Sequence, residues 1–136
     1  MKDFLVMLAL IPLLLYFPAQ FTADEINDKK IVAYNNIVNK HAQKARAEGC
    51  FTADNINSLK NDLSKALYID LSEIKFEGTT SLKYRTDAFD NRQMISYKVS
   101  VPVKRIIAMP KLWGRSDLDN KIDYSVTGEV PTELLP

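Results

Sequence analysis

The sequence predicts an α+β fold: a long N-terminal helix, a second short helix, and a small, mostly antiparallel β-sheet head. Three observations carry that expectation. Residues 4–22, FLVMLALIPLLLYFPAQFT, run nineteen positions without a charge. The stretch after them turns polar but keeps a helical period with one apolar face. From residue 69 onward apolar and polar residues alternate, which is the period of half-buried strands. The expected organisation is an apolar helix over 1–23, continued in 24–136 by an amphipathic helix that carries a small globular α+β head.

The apolar run sets the first element. An uncharged apolar run of about 18 or more residues is a candidate bilayer span, and nineteen helical residues reach ~28 Å, just enough to cross a hydrocarbon core. Its surface is supplied by Phe4, Leu5, Leu8, Ile11, Leu14, Leu15, Phe17 and Phe21. Three readings share this helix and differ in its partner. A secretory signal needs small residues at and three before the cleavage point. Cutting after Ala19 or Ala23 places Phe17 or Phe21 at that third position, so the segment is expected to be retained. An ordinary membrane anchor meets a second difficulty, since Pro12 and Pro18 each remove a helical donor. Such helix breaks are costly against lipid unless protein covers them. The third reading is a helix that starts in the membrane and ends in the core of a filament, where neighbouring copies shield the broken ladder.

In DEINDKKIVAYNNIVNKHAQKARAEG, apolar residues recur at Ile26, Ile31, Tyr34, Val38, Ala42 and Ala45, widened by Val32, Ala33 and Ile37. Lys40, Lys44 and Arg46 gather near the end, and Gly49 supplies a left-handed cap. One continuous helix over residues 2–48 would be ~70 Å long. His41 lies within it and reads as a solvated or packed side chain. A second helix over 53–68 starts at the N-cap Thr52 and presents Ile56, Leu59, Leu63, Ala66 and Leu67.

Strands follow. Ile74, Phe76 and Gly78 alternate with charged residues, and Leu82, Tyr84 and Thr86 do so after a Gly-Thr-Thr turn. DAFDNRQ, residues 87–93, is the most turn-like stretch. The longest strand signal runs through Ile95, Tyr97, Val99, Val101 and Val103, with Pro102 indicating an edge position or a bend. A last strand is expected at 122–128, and the terminal VPTELLP reads as an extended tail. Between these strands, Ile106, Ile107, Met109, Leu112 and Trp113 form a dense apolar cluster around Pro110 and Gly114. It reads either as a core plug or as a contact surface against lipid or a neighbouring subunit.

Composition excludes several classes of function. Of the 136 residues, eighteen are basic and seventeen acidic, with no block of one sign, so no electrostatic footprint for nucleic acid is present. Near-neutrality suits a protein that packs against copies of itself. The single cysteine, Cys50, forms no intramolecular disulfide and reads as a small buried residue near a helix end. No catalytic constellation can be assembled around one histidine, and the four glycines are too scattered for a phosphate cradle. The acids Asp87, Asp90, Asp117 and Asp119 are expected to be solvated loop residues. A calcium loop at 117–120 does not match the known spacing. The chain is therefore not expected to be an enzyme or to use a cofactor or metal.

The layout of a long helix, apolar first and amphipathic later, before a small antiparallel sheet resembles the type IV pilin architecture. The run HAQKARAEGCFTADNINSLKNDLSKALYIDLSEIKFEGT resembles the TadE-like pseudopilins of tight-adherence pilus clusters. In those chains a helix ends at Gly, an N-capped short helix follows, and a strand closes in Gly-Thr. The resemblance implies a structural subunit held in the cell membrane and processed by a prepilin peptidase. An ATPase-driven pilus assembly machinery would then build it into an extracellular homopolymeric filament on the cell surface. Two features depart from that pattern. No basic leader ending in Gly precedes the apolar segment, so either the numbering begins at the mature N-terminus or there is no leader. Residue 5 is Leu where pilins commonly carry the Glu that neutralises a neighbour's terminal amine. Asp3 is the nearest carboxylate and the candidate substitute, or an ordinary flanking charge. The alternative function is a monomeric, membrane-anchored binding module of the cell envelope.

Overall fold

A computed structural model describes residues 1–86 and 90–136. It has the expected α+β architecture, built from α1 (Lys2–Glu48), α2 (Ala53–Leu67), β1 (Lys75–Gly78), β2 (Met94–Lys104) and β3 (Lys121–Pro131). The strands form one small antiparallel sheet with β2 in the middle. The chain divides into two compact units, one of Met1–Lys29 with Val103–Ile122 and one of Lys30–Pro102 with Asp123–Pro136.

Helix α1 runs through both Pro12 and Pro18 without ending. Each proline lacks the N–H that would have bonded the carbonyl four residues earlier, at Leu8 and Leu14. Asp3 in the first turn and Arg46 in the last suit the helix dipole. The helix stops at Gly49, whose φ of +81° favours glycine. A Cβ there would also lie 2.7 Å from the Lys83 carbonyl oxygen.

The second unit contains the core. Tyr34, Val38, Ala42 and Ala45 of α1 bury one stripe against Leu59, Leu63 and Leu67 of α2 and Ile95, Tyr97, Val99 and Val101 of β2. Fully burying a leucine such as Leu59 or Leu63 contributes about 1.5–3 kcal/mol. Val32, which the apolar pattern placed beside this stripe, is exposed. At about 100° per residue it lies roughly 200° round the helix from Tyr34, on the far side. The Tyr34 hydroxyl donates to the Val99 carbonyl at 2.7 Å, and its ring meets the edge of Tyr124. Burial pushes the Tyr34 phenol up to about 12, so it remains a neutral donor. Across the sheet, Gly128 leaves room for Tyr97, whose hydroxyl would lie 2.5 Å from an added Cβ. Cys50 is buried just past the end of α1.

The structure differs from the sequence reading in the strands. Residues 82–86 alternate as a strand does, yet they form no ladder. Their backbone is divided between two segments: the Lys83 N–H donates to Gly49, and the Arg85 N–H donates to Leu134. The Lys83 carbonyl accepts from Thr132 Oγ1. Pro102 belongs to the central strand, not to an edge. It is tolerated because the β1 ladder, with Lys75 opposite Ser100, stops before it. The last strand is longer than expected and extends to Pro131. Of the turn-like stretch 87–93, Asp87, Ala88 and Phe89 lie outside the described residues. Asp90 caps the 3-10 turn Asn91–Gln93 by accepting from the Arg92 N–H.

His41 is packed rather than solvated, at 3% exposure. Its Nδ1 lies 2.6 Å from Asn55 Oδ1 and its Nε2 lies 3.1 Å from Asp62 Oδ2. Asn55, itself fully buried, donates its Nδ2 to the His41 carbonyl. This network ties α1 to α2 and satisfies polar groups inside the core. The hydrogen bond from His41, followed by that from Lys40, holds the Asp62 carboxyl below its ordinary value of 3.8. A depressed carboxylate makes the unfolded chain the first to take up the proton as pH falls. The stabilisation is therefore complete above the ordinary value and is lost as pH drops through the lower folded one. Asp62→Asn is expected to flatten the acid limb of stability. Denaturant midpoints of both proteins measured between about pH 5 and pH 2 check this, and parallel limbs would contradict it.

Candidate functional site: the apolar helix and its loop

The first unit pairs the apolar half of α1 with the segment Val103–Ile122. Phe4, Leu5, Leu8, Ile11, Leu14, Leu15, Phe17 and Phe21 are all exposed. They project on every side of a helix long and apolar enough to cross a membrane, and none of its most apolar window is buried. Asp3 is exposed in the first turn, where the helix dipole accounts for a carboxylate without further partners.

One set of polar side chains in this unit does specific work. Past the end of β2, at residues 105–108, the backbone loses its ladder partners and side-chain amides replace them. Asn27 Nδ2 donates to the Arg105 carbonyl at 3.2 Å. Gln20 Nε2 donates to the Ile106 carbonyl at 2.9 Å, and Gln20 Oε1 accepts from the Ala108 N–H at 2.9 Å. Asn120 Oδ1 accepts from the Ile107 N–H at 2.8 Å, while its Nδ2 donates to the Ile107 carbonyl at 2.7 Å. The Arg105 N–H donates to the Asn120 carbonyl at 2.8 Å. An amide carries both donors and an acceptor, so Gln20 and Asn120 can each grip two backbone groups at once. Two left-handed residues, Arg105 and Met109, bracket the gripped segment. Non-glycine residues are uncommon in that conformation, which locates the sharp turns at the two ends of the clamp.

Beyond the clamp, Pro110–Trp113 forms a 3-10 turn closed by Gly114, whose φ is +66°. The Trp113 indole packs edge-on against Tyr16 of α1, with ring centres 5.6 Å apart. Ile11, Pro12 and Leu15 of α1 face Met109, Pro110 and Leu112 across an open groove of about 610 Å³ that Lys111 and Asp117 also line.

The apolar cluster 106–114 is thus not a core plug. Pro110 is buried, Ile106 and Ile107 are half-buried, and Met109, Leu112 and Trp113 are exposed. Apolar composition alone could not distinguish a core from a surface here. The clamp residues Gln20, Asn27 and Asn120 escaped the sequence reading as well. The available signal was Gln20, the single amide within the uncharged run.

Residues 116–120 serve the loop itself. Asp119 accepts from the Ser116 hydroxyl at 2.6 Å, and Asn120 is committed to Ile107. Among the described residues, no group of three or more His, Cys, Asp or Glu is placed to hold a metal ion.

Removing the Gln20 or Asn120 amide leaves two backbone groups without partners, each costing about 1–3 kcal/mol if it stays dry. Asn120→Ala is expected to speed amide hydrogen exchange at Ile107, and Gln20→Ala at Ala108, by roughly tenfold per ~1.4 kcal/mol lost. Core amides of β2 such as Val99 serve as the internal reference and should be unaffected. Unchanged exchange at 107 and 108 would contradict the clamp.

No protein-family model, curated protein or solved structure matches this chain.

Proposed function

We propose that this chain is a structural subunit of a type IV pilin-like helical filament, of the tight-adherence pseudopilin kind. It is stored in the cell membrane through the apolar half of α1 and assembled by packing of those helices into an extracellular polymer. The single observation that carries the reading is the unbroken course of α1. Its first half bares apolar side chains all round, while residues 34–45 of the same helix supply one wall of the head's core. One helix thereby contributes an apolar segment suited to packing on copies of itself and a wall of a folded head.

The two prolines favour copies of the chain over bare lipid as the final partner. Each opens the helical ladder by one donor, and in a filament core adjacent helices shield such openings from hydrocarbon and water alike. Processing by a prepilin peptidase and export by an ATPase-driven machinery belong to this proposal through the resemblance of residues 41–79.

Leu8→Asp tests the packing directly. A carboxylate in a helix-packed apolar core is disfavoured by several kcal/mol unless it is paired. Leu8 makes no contribution to the core around Tyr34 and Leu63, so the head should stay folded. The expected result is loss of the chain from sheared surface filaments, measured by mass spectrometry. Near-UV circular dichroism of the purified variant should remain unchanged. Filaments of normal yield from Leu8→Asp would overturn the reading.

A further inference from the structure

The loop Val103–Ile122 carries several exposed apolar side chains. Met109, Leu112, Trp113, Leu118 and Ile122 all lie within it, with Trp113 at 59% and Leu118 at 84% exposure. The same twenty residues carry five basic side chains against two acidic ones, in a chain that is otherwise balanced. Lys111 and Arg115 flank Leu112 and Trp113 and are themselves exposed. Apolar side chains without cover, an indole at their centre and a local excess of positive charge are the makings of a surface for the boundary of an anionic bilayer.

Position along α1 identifies the occupant. The loop descends beside the helix, held at Asn27, then at Gln20, then by the ring contact of Trp113 with Tyr16. Below that contact the open groove is lined by Ile11, Pro12 and Leu15 and continues the helix's apolar surface. Above it, the one amide of the uncharged run is engaged by backbone and is not left facing hydrocarbon.

We infer that residues 109–118 form a membrane foot: Leu112, Trp113 and Leu118 enter the headgroup–acyl boundary beside α1, with Lys111 and Arg115 on anionic headgroups. The headgroup–acyl boundary then lies at Tyr16 and Trp113, about six residues or ~9 Å inside the uncharged run, so that the ~20 Å of helix from Phe4 to Tyr16 enters the bilayer without spanning a full ~30 Å hydrocarbon core. Residues 17–22 stand above that boundary, and the apolar wall of the groove at Ile11 and Leu15 meets lipid while Lys111 and Asp117, which also line it, stay at the headgroup level. This rests on the membrane-stored stage of the proposed function and assigns its depth.

Trp113 is the only tryptophan, so its fluorescence reports this position without background. The full chain is reconstituted into vesicles of phosphatidylcholine mixed with phosphatidylglycerol. Lipids brominated near the headgroup end of their chains are expected to quench Trp113 more strongly than lipids brominated near the chain terminus. This follows from an interfacial depth of about 5–10 Å. Iodide in the aqueous phase should quench it only weakly. Leu112→Asp should reverse the order, with iodide quenching rising and lipid quenching falling, while flotation shows the chain still held by α1.

Strong iodide quenching of the wild-type chain in floated vesicles would overturn the foot and leave membrane storage intact. Failure of the chain to float with vesicles would overturn both. Protection from iodide and brominated lipid alike, growing with the protein-to-lipid ratio, would assign the surface to a second copy and overturn the lipid as its occupant.

Discussion

Among the described residues, the apolar half of α1 is left exposed on every side. Phe4 and Phe21 mark the two ends of a surface that the other described residues leave largely exposed. The hydrophobic effect scales with the apolar area left in water, at roughly 25 cal/mol per Å². An exposed rod of this kind requires another medium, either lipid or more helices like itself. Residues 34–45 of the same helix, by contrast, are covered by the core of the second unit.

The loop beside the helix meets a different requirement, the pairing of its own backbone. Residues 105–108 leave the sheet with their backbone groups unpaired, and Gln20, Asn27 and Asn120 satisfy them one by one. That arrangement places an amide inside an apolar run without leaving it a bare polar group, and it brings Trp113 onto Tyr16. The polar clamp thus fixes where the apolar turn can sit. Without it, 106–114 would be a hydrophobic loop free to collapse on any exposed surface.

Much of this fold is legible in the sequence, where the determinants are local. The change from an all-round apolar run to a one-sided stripe, ended by Gly49, places α1 at Lys2–Glu48. Thr52 before a face of Leu59, Leu63 and Leu67 places α2, and alternation places β2. What escaped depends on partners distant in the chain. Residues 82–86 alternate correctly, but they pair with Gly49 and Leu134 in turn, and no local pattern announces that. Asn55 lies four residues before Leu59 on the same helix face, so its burial was readable in principle from spacing. The pattern counted apolar residues alone and passed over the polar pair it forms with His41. The exposure of Leu112 and Trp113 was unreadable for a different reason, since a buried apolar cluster and an exposed one share a composition.

Whether copies of this chain cover one another's apolar helices is tested most directly by electron microscopy of the full-length protein purified from the cell surface. Helical polymers with the α1 helices packed along a central axis and the heads outside are expected. Discrete particles containing one chain each, with α1 surrounded only by lipid or detergent, would contradict the filament reading.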